Sequence, residues 1–232
     1  MPTVDMPDAD SYAATRQRVL AMLEGLSEEQ AALPVPACPG WSVHDVLAHL
    51  TGIAADAVAG RLEGVGTAGW TAAQLDARRS HTMAEVAAEW RDLAGAFDEM
   101  IRPQPALAMA AGADAVVHEH DAAQALGVVA DRSSTAVREA AHRYAELFCQ
   151  RVQAAGLGPV TIESTEGDCF AARQPGCSAG VRAPAYDLLL TFAGRRTLDE
   201  ARSLGWVGDA AAVLGLLSPY GDLPARPLAL RA

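Results

Sequence analysis

Cys38-Pro-Gly-Trp-Ser-Val-His-Asp-Val-Leu-Ala-His49 and Asp114-Ala-Val-Val-His118-Glu-His-Asp121 are the two stretches on which the reading of this chain turns. In the first, Pro39 and Gly40 make a turn, and Ser42 is placed to cap a helix that carries His49. In the second, Asp114 and His118 stand four residues apart, which on a helix puts both on one face. Two imidazoles and one carboxylate meeting inside a helical bundle would hold a divalent metal and leave coordination positions open.

Each half also has a plainer reading. His49 follows Val46 by three residues and precedes Ile53 by four, so it flanks a buried face, where a histidine is often just a hydrogen-bonded core residue. His44 lies about 140° around the same helix at a step of about 100° per residue, and is expected at the surface. Asp114, His118, Asp121 and Ala125 form one stripe. Either that stripe is buried and its polar groups are paired, or Glu119, His120 and Asp121 are a solvated helix face. Asp121 is open as a ligand or as the group that orients His118 from behind. Glu119 and His120 point elsewhere.

The wider composition narrows the classes. The chain has 232 residues, half of them hydrophobic, with a net charge of −11. All 18 basic residues are Arg. An acidic surface without a basic patch argues against nucleic acid and anionic membrane as partners. No apolar run approaches the roughly 18 residues needed to span a bilayer. The acidic N-terminus, Met1 to Asp10, has no signal pattern, so a soluble cytoplasmic protein, monomer or homodimer, is expected. Cys38, Cys149, Cys169 and Cys177 form no Cys-x-x-Cys pair, which disfavours a zinc ribbon. They are expected to be reduced, although Cys169 and Cys177 could face each other across a hairpin.

Most of the chain reads as helix. Tyr12, Arg16, Val19, Leu20 and Leu23 make a helical stripe, and Ser27 with Gln30 is a capping-box pattern. The helix after Ser42 runs to about Gly60, another begins near Thr71, and Thr82 with Glu85 opens one that ends near Arg102. Pro103 and Pro105 end that helix. A helix from about Asp114 to Leu126 is closed by Gly127, and a long one runs from Ser134 to Gly156. These predict an antiparallel bundle over 1–157. Beyond Gly158, strands at Val160–Ile162 and Cys169–Ala171 and short helices at 184–192, 197–200 and 209–217 predict a small α/β unit over 158–232.

The pattern CPGWSVHDVLAHL, followed some 65 residues later by carboxylate-x-x-x-His-x-x-Asp and Leu-Gly, resembles the DinB-like mycothiol-dependent maleylpyruvate isomerase family of actinobacteria. Ala185-Tyr-Asp-Leu-Leu-Leu, Ala193-Gly-Arg195 and Trp206-Val-Gly-Asp209 resemble that family's small C-terminal domain more loosely. The resemblance implies a mainly α fold: a DinB-like four-helix bundle that binds metal, then the α/β unit. It places the family's two metal-binding histidines on His49 and His118. The family's glutamate falls on Asp114, one methylene shorter. Carboxylate oxygens of Asp and Glu ligate zinc at the same distance of about 2.0–2.2 Å.

The implied cofactors are a divalent metal, zinc first, and mycothiol. In the implied chemistry the thiol is ionised, adds to a conjugated double bond, and leaves after rotation; in relatives it stays attached, making a thiol S-transferase. Arg195 is the implied partner of an acidic substrate, with Arg78 and Arg79 as weaker candidates. Cys38 matches the family's cysteine and reads as a small buried residue, and Trp41 as packing for the turn. Two rivals stand beside the enzyme: a carrier enclosing an apolar ligand, and a metal-free interaction module, which the Asp114 departure motivates.

Overall fold

A computed structural model describes residues 9–228. They form two compact units that divide between Ala130 and Asp131. The fold is mainly α, with a small α/β part at the C-terminal end. Among the described residues, no helix is long and apolar enough to cross a membrane.

The first unit is a bundle of α1 (Ala9–Leu23), α3 (Val43–Val58), α5 (Met83–Ile101) and α6 (Pro105–Leu126), flanked by the short α2 (Glu28–Ala31) and by α4 (Ala68–Arg78). α1 and α3 each pack on both α5 and α6, which closes a ring of four helices. The ring is filled by Val19 and Leu23 of α1, Val43, Val46, Leu47 and Leu50 of α3, and Val86, Trp90, Phe97 and Ile101 of α5. α6 contributes small side chains, Ala108, Ala111, Ala115 and Ala122, which let its backbone come close to its neighbours. One polar seam crosses this core: the buried Trp90 indole donates to Tyr12 Oη at 3.1 Å. Beside it, Arg16 donates to both carboxylate oxygens of Asp98 at 2.6 and 2.8 Å.

Helix ends follow local chemistry. Ser27, Ser42 and Thr82 each form a capping box with the residue three positions on. α6 departs from the expected start near Asp114 and begins at Pro105, nine residues earlier. A proline ends a preceding helix, but it is equally at home in the first turn of the next one, where no backbone N–H is needed. Gly127 closes α6 with φ of 69°, as expected of a left-handed cap.

The second unit holds α7 (Thr135–Ala154), β1 (Val160–Ser164), β2 (Cys169–Ala171), β3 (Ala179–Ala183), α8 (Ala185–Phe192), α9 (Leu198–Arg202), β4 (Gly205–Gly208) and α10 (Ala210–Leu214). The sheet order is β2-β1-β3-β4, with the β1–β3 pair parallel and both outer pairs antiparallel. The sequence reading grouped α7 with the bundle over 1–157. Here α7 packs along α8 and against β1 and β2. Phe148 stacks on Phe192 at 4.7 Å. β3 and β4 were not expected as strands. No disulfide joins Cys169 and Cys177; Cys177 Sγ lies 3.1 Å from Thr161 Oγ1 and donates to Ala179 O.

Candidate metal centre

The loop ahead of α3 is built by backbone bonds that turn the chain back on itself. Val35 N donates to Trp41 O, Val43 N donates to Leu33 O, and Trp41 N donates to Cys38 O. The last bond closes a four-residue turn with Pro39 and Gly40 at its centre. Gly40 has φ of +87°, a conformation that favours glycine, so Cys38-Pro-Gly-Trp41 is a type II turn. Ser42 then caps α3: its Oγ accepts from Asp45 N, and its own N–H donates to Asp45 Oδ2.

This turn carries Trp41 onto two imidazoles. The indole lies 5.6 Å from the His118 ring at 18°, nearly parallel, and meets His49 edge-on at 5.2 Å. His49 and His118 are themselves 5.2 Å apart, ring centre to ring centre, and close to perpendicular. Both are 6 % exposed. Trp41 thus covers the histidines as well as packing the turn.

Asp114 stands across from both rings. Its Oδ2 is 3.5 Å from His49 Nε2, and its Oδ1 is 3.8 Å from His118 Nε2. One donor atom from each of the three residues lies within 4.8 Å of the others. These separations exceed a normal hydrogen bond. They are close to the roughly 3.4 Å expected between two atoms that each sit about 2.0–2.1 Å from one tetrahedral ion. The donor set fits a divalent cation in chemistry and in spacing. Asp114, with its side chain 25 % exposed, is the member nearest solvent.

The rings are held from behind. His118 Nδ1 is 3.1 Å from Asp121 Oδ2, and Asp121 is 3 % exposed. Asp121 therefore sits where it orients His118, with Nε2 directed at Asp114. His49 Nδ1 is 2.8 Å from Oε1 of the buried Gln74. Cys38, read from sequence as a small buried residue, is half-buried, with its Sγ 3.9 Å from His118 Nδ1 and 3.5 Å from Asp121 Oδ2. With His118 and Asp121 it forms a second group of metal-capable donors on the far side of the same ring.

The solvated-face reading of α6 does not hold. Glu119 and His120 are buried with His118 and Asp121. Glu119 does point away from the site, to α1, where Arg18 binds both its oxygens at 2.7 and 2.8 Å. His44 is half-buried, its Nε2 2.8 Å from His81 O. Of the arginine candidates, Arg78 is buried against Glu89 and Arg79 pairs with Asp76 at the surface. Arg195 lies in the second unit, just after α8, and its Nη1 donates to Ala193 O at 2.7 Å. Gln74 was missed, because nothing in its sequence spacing marks it.

In the first unit two histidines and a carboxylate thus converge inside a helical bundle under an aromatic cover, and a small mixed α/β unit follows in the chain. Residues 12–112 match the family described as the mycothiol maleylpyruvate isomerase N-terminal domain, so the resemblance carried by the motifs is borne out. The matched stretch contains Cys38 to His49 and Gln74, and stops just before Asp114. The fold is similar to the crystal structure of the mycothiol-dependent maleylpyruvate isomerase, with a TM-score of 0.59 at 13 % identity, over 84 % of this chain and 92 % of that one. A histidine-to-alanine mutant of that isomerase matches with the same coverage and TM-score at 12 % identity. At such identities the likeness is one of fold. No curated protein matches the chain.

Proposed function

We propose that the chain is a metal-dependent enzyme that uses mycothiol to isomerise a small unsaturated acid such as maleylpyruvate, or to transfer the thiol to an electrophilic small molecule. One observation carries this: the donor atoms of His49, Asp114 and His118 converge within 4.8 Å of one another. The family match over 12–112 and the likeness of fold support it.

His49, Asp114 and His118 would hold the cation, zinc in the first place; iron, manganese or nickel suit the same donors. Such a cation, when bound, is a Lewis acid that favours the ionised form of a sulfur ligand. The chain's own residues do the remainder. Asp121 and Gln74 accept from the outer ring nitrogens, so both Nε2 lone pairs point inward. Trp41 keeps water from one side of the rings. The half-buried Asp114 leaves an approach for thiol and substrate. Arg195 is assigned, on the resemblance, to the carboxylate of an acidic substrate. A cytoplasmic setting, where low-molecular-weight thiols stay reduced, goes with this reading.

The test is elemental analysis of the purified full-length protein together with turnover of maleylpyruvate in the presence of mycothiol. The expected result is a stoichiometric divalent metal that is lost in His49→Ala and His118→Ala, with turnover lost alongside. Turnover that survives His118→Ala, or a wild-type protein without stoichiometric metal, would overturn the proposal.

A further inference from the structure

The route from His49 outward does not end at Gln74. Gln74 Nε2 donates to Asp56 Oδ2 at 2.9 Å, and Arg61 Nε donates to the other Asp56 oxygen at 2.9 Å. Asp56 is ion-paired and its carboxylate can only accept. The amide of Gln74 must therefore turn its NH₂ toward Asp56, which leaves its carbonyl oxygen facing His49. A carbonyl oxygen also only accepts, so His49 Nδ1 must carry the ring proton. The neutral ring then presents a bare Nε2 toward Asp114 and His118.

We infer that Gln74 is a positioning residue, and that the chain Arg61–Asp56–Gln74–His49 locks the histidine in its Nδ1–H tautomer. The lock deepens the metal reading above and rests on it for its purpose, but its geometry stands apart from any metal. Each link has one permitted polarity, set by a carboxylate at the outer end. A change at Asp56 thus reaches the ligand through Gln74 alone, and a change at the surface residue Arg61 through Asp56 and Gln74.

The fold makes room for the lock at one position. Gly52, buried on α3, faces Gln74 on α4. A Cβ at Gly52 would meet Gln74 Cβ at 2.6 Å and Cγ at 2.7 Å. No rotation of the distal amide relieves an overlap with Cβ. Arg78 adds to the placement from the other side: its Nη1 donates to Gln74 O, and its guanidinium is fastened to Glu89 of α5.

The experiment has two readouts on the full-length protein. Nitrogen-15 NMR of the histidine rings, with metal removed, reads the tautomer of His49. Competition with a chromophoric chelator reads the affinity for Zn²⁺. The wild type is expected in the Nδ1–H form. Gln74→Leu is expected to release the ring toward the Nε2–H form and to weaken Zn²⁺ about 10–100-fold, the usual effect of losing an outer partner. The paired change Asp56→Asn with Gln74→Glu is expected to restore both, because a carboxylate at 74 accepts from the amide at 56 and from His49 alike. An Nε2–H ring in the wild type, or Gln74→Leu with an unchanged tautomer, would overturn the inference. If the wild type takes up no Zn²⁺, the functional proposal fails, while the ring tautomer still decides the lock.

Discussion

Trp41 lies nearly flat on His118, with ring centres 5.6 Å apart and planes 18° from parallel. An indole in that position shields an imidazole face that would otherwise meet water, and it reaches there because the Pro39–Gly40 turn folds the loop back over the bundle. Trp41→Ala removes both ring contacts and the cover over His49. The expected loss of stability is about 1–3 kcal/mol, from lost apolar burial and the aromatic pairs. Urea unfolding of the variant against the wild type measures it.

Asp121 faces His118 Nδ1, the ring nitrogen turned away from Asp114. Its removal should disturb orientation rather than delete a donor. Asp121→Ala is expected to weaken Zn²⁺ by about 10–100-fold, and Asp121→Asn by less, since the amide oxygen can still accept. Chelator competition tests both. A loss as complete as that of His118→Ala would make Asp121 a ligand instead.

Helix propensity alone favours alanine over glycine within α3 by roughly 1 kcal/mol. At Gly52 the sign should reverse, because the added Cβ falls 2.6 Å from Gln74 Cβ. Gly52→Ala is expected to destabilise the protein by about 1–3 kcal/mol, the range for overpacking a filled contact. Denaturant unfolding reads the sign directly, and a stabilised variant would contradict the close approach of α4.

Burial pushes the Tyr12 hydroxyl from its ordinary value of 10.0 up to about 12. Between those values the unfolded chain releases the proton and the native state keeps it. Stability is therefore unaffected by Tyr12 below pH 10 and falls as pH rises from 10 to about 12. At 1.36 kcal/mol per pKa unit the loss is about 3 kcal/mol. Tyr12→Phe should lack this part of the alkaline decline, which pH-dependent urea titrations of the two proteins would show.

What could be read from the sequence was local. Capping boxes at Ser27 and Thr82 were legible because each cap bonds within three residues. The shared face of Asp114 and His118 followed from helical spacing. The start of α6 was not legible, since Pro105 serves both as a stop and as a first-turn residue. β3 and β4 are short, glycine-containing strands whose pairing is supplied by sheet neighbours. The burial of Glu119 depends on Arg18, 101 residues away, and so resembles a solvated face in one dimension. Gln74 and the surroundings of Cys38 are likewise set by helix crossings, which no periodicity reports. Membership of α7 in the second unit rests on packing against α8, β1 and β2, Phe148 on Phe192 included, which a one-dimensional reading does not contain.

The groups around His118 come from far apart along the polypeptide: Cys38 meets it across 80 residues, and Gln74 reaches His49 across 25. No short fragment can assemble them, and a protein cut where the family match ends, at residue 112, would keep one of the three inner donors. Cobalt(II) colour, developing as refolding chains close, would therefore time the last stage of tertiary assembly rather than the first appearance of helix.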